Sequence, residues 1–480
     1  MPPLCVRSRG GMLQTIKILL LTGFCILSTS VYSAVWTKTG ILNVSELYTD
    51  NATSAPSSSD AQEELVTQIA PELYFHGVGR KVVLDLNYRL EANYYDRNIV
   101  QDDDVFHELN SSMAAELKKG VLFLDAGASL SQEYIDRAGP QTFNSFATSR
   151  NRTDVTTVRL SPYLRSSLSR SVVAEARYFH NRIEFDSDQV SDRSAEIVSM
   201  FVGSRPGFDL FEWRGEFVNE KDNLDSSFDS ESRRVGLYTK YSIRPWLKLL
   251  ADGGREVWIS DLEGGGEQKD EVDFWLAGLA LSPNKNLLIE GRYGERFFGS
   301  TYSFELRANL SKASLWIVHD EVAISAAQFR AGVVDQQNRK FDTLGDEVTV
   351  QDSELIVREK TRINLDVSQG RNSLKLGLYR TSRTFYLILS EERSYGGELS
   401  FIRALGSNGE ATLKLENKRQ QFFQRNLESD FSIVTLQLEN KWGARLSSVV
   451  SYKYIKSDSP DIDGMYDENE LGVRFKFFFL

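Results

Sequence analysis

Residues 82–94 read VVLDLNYRLEANY. Val82, Leu84, Leu86, Tyr88, Leu90, Ala92 and Tyr94 are interleaved with Val83, Asp85, Asn87, Arg89, Glu91 and Asn93. Successive side chains of a β-strand point to opposite faces, so this stretch is a strand with one oily face and one charged face. The pattern returns at Tyr302, Phe304, Leu306, Ala308 and Leu310 against Ser303, Glu305, Arg307 and Asn309. Further copies run through 172–180, 287–297, 363–367, 413–416 and 434–439. Followed along the chain, the alternation predicts about 22 strands, with 20 as the lower bound of about 20–22.

The connections decide what such strands build. Short turns around Gly120, Arg170, Pro206, Pro245, Pro283 and Lys312 alternate with polar stretches at 49–64, 96–104, 135–152, 220–231, 260–269, 325–350 and 456–468. Outer-membrane barrels combine short periplasmic turns with long extracellular loops. A soluble sandwich has no reason to sort its loops by end, and it does not hold so many strands. The expected fold is therefore all-β, one large transmembrane antiparallel β-barrel with both chain ends in the periplasm. The mean hydropathy of −0.33 fits, because lipid-facing and lumen-facing residues average out. A barrel of this size matches plugged, energised transporters, yet the first strand is expected near Ile41, so no plug domain is expected.

The N-terminal segment has the layout of a secretory signal: Arg7, Arg9 and Lys17, an apolar stretch from Ile18 to Leu27, then small residues around Ser33 and Ala34. The apolar stretch is too short for a membrane anchor, which needs ~20 residues. Residues 1–33 are the expected signal peptide and 34–480 the barrel, with Met12 an alternative start. Cys5 and Cys25, the only cysteines, precede the barrel, and this excludes thiol chemistry and cysteine-built metal sites in it. Removing the three basic residues makes the remainder more negative than the −11 of the whole chain, against any nucleic-acid role.

Charged residues on the alternating strands are expected to face a wet lumen: Asp85, Arg89, Glu91, Glu175, Arg177, Glu290, Arg292, Arg296, Glu305, Arg307, Arg362, Asp366, Lys414 and Glu416. Both signs are present, so a salt-bridged wall is expected. The last strand alternates Leu471, Val473, Phe475, Phe477 and Phe479 with Gly472, Arg474 and Lys476. This is the aromatic-terminated strand expected to be read by the barrel-assembly machinery, with Leu480 out of phase. Trp36, Trp246 and Trp442 are expected near the periplasmic interface, and Trp258, Tyr94, Tyr95 and Tyr134 near the outer one.

No catalytic residue, cofactor or metal site is expected. His319 and Asp320 beside Ser325 have the composition of a hydrolase triad, but a triad is defined by geometry and no nucleophile motif accompanies them. Asp458, Asp461, Asp463 and Asp467 lack the spacing of a calcium-binding EF-hand and read as a solvated acidic loop, with weak divalent bridging to lipopolysaccharide as the alternative. Two functions stay open: a porin-like channel or export conduit, and a non-conducting structural or binding barrel.

Three stretches resemble the PEP-CTERM (exosortase) system-associated outer-membrane barrel proteins: Leu42 to Ala52 (LNVSELYTDNA), Phe123 to Pro140 (FLDAGASLSQEYIDRAGP) and Asn151 to Arg165 (NRTDVTTVRLSPYLR). The resemblance is clearest over about residues 36–310. It implies a Gram-negative cell with an exopolysaccharide and protein-sorting gene cluster, a place among outer-membrane lipid and lipopolysaccharide, and a role at the surface or in saccharide or polysaccharide export. It supplies no catalytic residues.

Overall fold

Alternation lets one strand face two solvents, and the chain uses it from Val35 to Phe479. The computed structural model describes residues 35–56, 59–97, 105–136, 141–143, 151–187, 190–205, 207, 210–224, 230–262, 266–325, 355–385, 390–459 and 465–479. The expected signal peptide and Leu480 lie outside them.

The strands are β1 (Val35–Thr49), β2 (Glu64–Val78), β3 (Val82–Tyr95), β4 (Val105–Lys118), β5 (Leu122–Tyr134), β6 (Arg152–Ser167), β7 (Val172–Phe185) and β8 (Arg193–Ser204). Next come β9 (Phe211–Leu224), β10 (Ser230–Arg244), β11 (Leu247–Leu262), β12 (Gly266–Asn284), β13 (Leu287–Arg296), β14 (Gly299–Asn309) and β15 (Ala313–Ser325). The remainder are β16 (Leu355–Gln369), β17 (Asn372–Phe385), β18 (Ser390–Leu405), β19 (Gly409–Phe422), β20 (Leu427–Lys441), β21 (Leu446–Asp458) and β22 (Tyr466–Phe479). Among the described residues, helix is limited to a 3-10 turn at Phe423–Arg425.

Each strand pairs antiparallel with the next, and β22 returns to β1 from Gly40↔Phe479 to Thr49↔Glu470. The sheet of 22 strands is thus closed. Closure removes the two edges whose unpaired N–H and C=O groups would each cost several kcal/mol in hydrocarbon. Two prolines show how the ladder accommodates a missing donor. Pairing of β2 with β3 skips from Ile69↔Ala92 to Glu72↔Arg89 around Pro71, and pairing of β6 with β7 skips from Leu160↔His180 to Tyr163↔Arg177 around Pro162.

The connections sort by end less strictly than the sequence suggests. At one end all are short. At the other, 50–63, 96–104, 135–151 and 326–354 are long, but β9 to β12 run through most of 220–231 and 260–269. Gln268 and Lys269 continue the ladder opposite Ser260 and Ile259, and Glu220 does so opposite Ile197, so polarity that reads as loop is strand. β13 and β14 are joined at this end by Phe297 and Phe298 alone.

Most of the large exposed apolar side chains share one face of the sheet. On β22 they are Leu471, Val473, Phe475, Phe477 and Phe479, and on β14 Tyr302 and Phe304. Near the short-turn end the Trp36 ring lies over Gly77, where an added Cβ would come within 2.1 Å of it. Trp36 also packs on Phe75 at 4.9 Å. Two aromatic assignments are corrected. Tyr95 is buried with Leu47, Ala52 and Val66, and Trp258 shares the face of Asp252 and Glu256 and packs on Phe297 at 5.2 Å. Parity decides both, since each lies an even number of positions from charged residues of its strand. Trp275 and Tyr293, edge to face at 6.2 Å, stand on the apolar face instead.

Candidate functional site

The opposite face is polar, and its charges are paired. Arg89 bonds Glu91 at 2.5 Å and lies 3.6 Å from Glu72 on β2. Arg177 meets Glu175 at 3.2 Å and Asp125 on β5 at 2.8 Å, while Arg165 of β6 binds the same Glu175 at 2.6 Å. Arg292 is held by Glu290 at 2.9 Å and by Asp252. Arg296 reaches Glu256 at 2.5 Å, Arg307 pairs with Glu305, and Lys414 with Glu416 at 2.9 Å. Asp85 bonds His76 at 2.5 Å. Arg362 donates to Asn364 at 3.1 Å, and Asp366 stands on the same face, opposite Ser314 and Lys375.

Partners two residues apart on one strand follow from parity. Others skip a strand: Arg177 on β7 to Asp125 on β5, and Arg292 and Arg296 on β13 to Asp252 and Glu256 on β11. Sequence reading missed Glu72, Asp125, Arg165, Asp252 and Glu256 as members. Their alternation is a usable signal, but Gly253 and Gly254 interrupt it on β11. Aromatic rings join the same face. Phe123 and Tyr163 stack at 5.0 Å, and the Arg177 guanidinium lies 3.8 Å over Tyr163.

At the long-loop end, a piece of the β5–β6 connection crosses to strands far away around the barrel. Gln141 and Thr142 are buried. The Gln141 carbonyl accepts from the Tyr466 hydroxyl at 3.2 Å, and the Phe143 carbonyl accepts from Lys453 Nζ at 3.0 Å. The Phe143 ring meets Phe431 of β20 edge-on at 5.1 Å. Both Arg152 and the Tyr134 hydroxyl donate to the Thr142 carbonyl, tying the crossing segment to its own hairpin. Nothing in the sequence marks this fold-back. Beside it, Thr49 Oγ1 donates to the buried Glu468 at 2.6 Å, and Asn51 Nδ2 donates to the Asp467 carbonyl at 3.0 Å. Outside the strands, a hydrogen bond from Arg97 at 2.8 Å, helped by the Tyr48 hydroxyl, holds the Glu63 carboxyl below the usual glutamate range.

The histidines serve packing and pairing. His319 and Asp320 occupy opposite faces of β15. His319 Nδ1 is 2.8 Å from Thr361 Oγ1 and its ring stacks on Tyr302 at 4.2 Å, while Asp320 accepts from Arg358 at 3.2 Å. These two cannot form one triad, because adjacent strand residues point apart. Of the acidic loop set, Asp461 and Asp463 lie outside the described residues, and Asp467 accepts from the Tyr454 hydroxyl at 3.2 Å.

No protein-family model matches the chain, and no curated protein matches it. Solved structures do. The FrpB iron transporter from Neisseria meningitidis, F5-1 variant, is 10% identical, with 92% of this chain and 83% of that chain covered at a TM-score of 0.52. Its F3-3 variant is also 10% identical, with 92% and 82% covered and a TM-score of 0.51. OmpT with loop L8 deleted, an outer membrane protein of Vibrio cholerae, is 9% identical, with 93% and 100% covered and a TM-score of 0.34. At such identities the likeness is one of fold: this chain has the closed β-barrel of Gram-negative outer-membrane proteins.

Proposed function

We propose that the protein is an outer-membrane channel or export conduit whose polar face lines a water-filled lumen, passing saccharide or polymer in the exopolysaccharide and protein-sorting setting that the resemblance implies. The observation that carries this reading is the salt-bridged polar face on a closed barrel. Ion pairs that skip a strand favour the concave side of a curved sheet, where neighbouring side chains converge. The crossing by Gln141–Phe143 also joins strands of that face across the barrel's interior. A charged wall is stable there because it meets water, whereas each Arg or Lys at the lipid midplane would cost ~2–4 kcal/mol. Paired charges of both signs with stacked rings such as Phe123 and Tyr163 suit a hydroxyl-rich solute better than a bare ion. Passage is passive in this reading, without energised uptake and without catalysis.

The second reading, a non-conducting surface barrel, is favoured by the same crossing segment, which narrows the mouth. Purified protein in planar bilayers separates the two. Steady ohmic steps that grow when Lys453→Ala frees the Phe143 carbonyl support a conduit with a constriction. Silence from both proteins supports the scaffold.

A further inference from the structure

The wall is not equally stitched all the way round. Pairing of β14 with β15 starts at Asn309↔Ser314 and stops at Phe304↔His319. The same register would place Ser303 opposite Asp320 and Thr301 opposite Val322. Both segments are extended strand, yet among the described residues they do not pair with each other. The other sides of both strands stay laddered, β14 with β13 up to Arg296↔Gly299 and β15 with β16 up to Ser325↔Leu355.

The height of the break matters. From Asn309 to Phe304 the ladder climbs about 13 Å, at ~3.3 Å per residue with a tilt of ~40°. The last pair thus stands near the middle of an apolar band ~25 Å tall, and the unpaired stretch rises from there through its outer half. Above it the rim is low, since Phe297 and Phe298 alone join β13 to β14. What spans the seam is a ring stack, Tyr302 on His319 at 4.2 Å with an interplanar angle of 6°. His319 is 7% exposed, and its Nε2 has no hydrogen-bond partner, with the Glu321 carboxylate 3.7 Å away.

We propose that the β14–β15 seam is a lateral passage between the barrel interior and the outer leaflet, taken by an amphiphile with a polar, sugar-like head and a hydrocarbon tail. The two faces of the seam match such a molecule. Toward lipid stand Tyr302 and Phe304; on the polar face stand Trp316, whose Nε1 donates to Glu305 at 3.1 Å, and Asp320 with Arg358. Parting the strands here breaks a ring stack in place of a run of backbone hydrogen bonds, each of which would cost several kcal/mol to lose in hydrocarbon.

The proposal rests on reading the polar face as the lumen wall, and one experiment separates the two. Ser303→Cys is compared with Ser400→Cys, a polar-face serine on β18 that is laddered on both sides. In the protein without Cys5 and Cys25, each variant is reconstituted in phosphatidylcholine vesicles. It is treated either with the water-soluble aminoethyl methanethiosulfonate or with membrane-dissolved N-dodecylmaleimide. The expected result is that the soluble reagent modifies both, and that the lipid-borne reagent modifies Cys at 303 at least tenfold faster than at 400. Soluble labelling of both with equal or no lipid-borne labelling overturns the passage and leaves the lumen standing. No soluble labelling of either overturns the lumen reading and the passage with it.

Discussion

Changing Phe475, Phe477 and Phe479 together to Asp should prevent stable assembly, whereas changing Arg474 and Lys476 to Ser on the same strand should not. The three phenylalanines are 43%, 38% and 57% exposed on the apolar face of the strand that closes the barrel. Phe475 stands about 10 Å above Phe479, four residues at ~3.3 Å and a tilt of ~40°. It therefore lies near the middle of the apolar band and Phe479 near its edge. Carboxylates cost less than the ~2–4 kcal/mol of a midplane cation and little near the interface, so the three charges total about 4 kcal/mol. Partial loss of three rings from lipid adds about 1 kcal/mol each, below the ~1.5–3 kcal/mol of full burial. The sum, about 7 kcal/mol, is comparable with a whole fold's ~5–15 kcal/mol. On the polar face, Arg474 donates to Ser45 at 3.0 Å and Lys476 is 3.9 Å from Glu439. Losing one charged hydrogen bond and one exposed ion pair costs about 2 kcal/mol together. The assay is the amount of heat-modifiable barrel in outer-membrane fractions. Equal amounts for the two variants would refute the assignment of faces, and with it the lumen.

The other predictions concern topology, packing and pH. Protease added to intact cells should cut within 325–350 and 456–468, which connect strands at the long-loop end; cutting only after the outer membrane is permeabilised would invert the topology. Gly77→Val should displace the Trp36 ring and lower the temperature of heat modification, while Gly120→Ala, at φ 68° with open space around it, should act only through backbone strain. Glu63 is held below its ordinary value by Arg97, so its pairing stabilises fully above pH 4.5 and fades as pH falls through the folded value. Melting curves of the protein and of Glu63→Gln should accordingly converge in acid, with a small gap at neutral pH because the pair is exposed. A gap that widens in acid would contradict the sign.

Period-two alternation made the strands legible because each residue's face depends only on its parity, a local property. Val82 to Tyr94 fixes its oily and charged sides without reference to any neighbour, and so does the β22 stripe from Leu471 to Phe479. The same parity sets Arg89 and Glu91, and Arg292 and Glu290, on one face, where the structure pairs them. What sequence could not carry is height and adjacency. Polar residues toward the long-loop end, such as Glu220 and Lys269, read as loop because a composition does not say where lipid ends. The strand-skipping partners of Arg177 and Arg296, the β1–β22 register and the seating of Gln141–Phe143 against Tyr466 and Lys453 join residues far apart in the chain. Each depends on which strands stand side by side, and at what stagger, once the sheet closes. The seam at Phe304↔His319 belongs to the same class: β14 and β15 both read as good strands, and only closure decides how far up they meet.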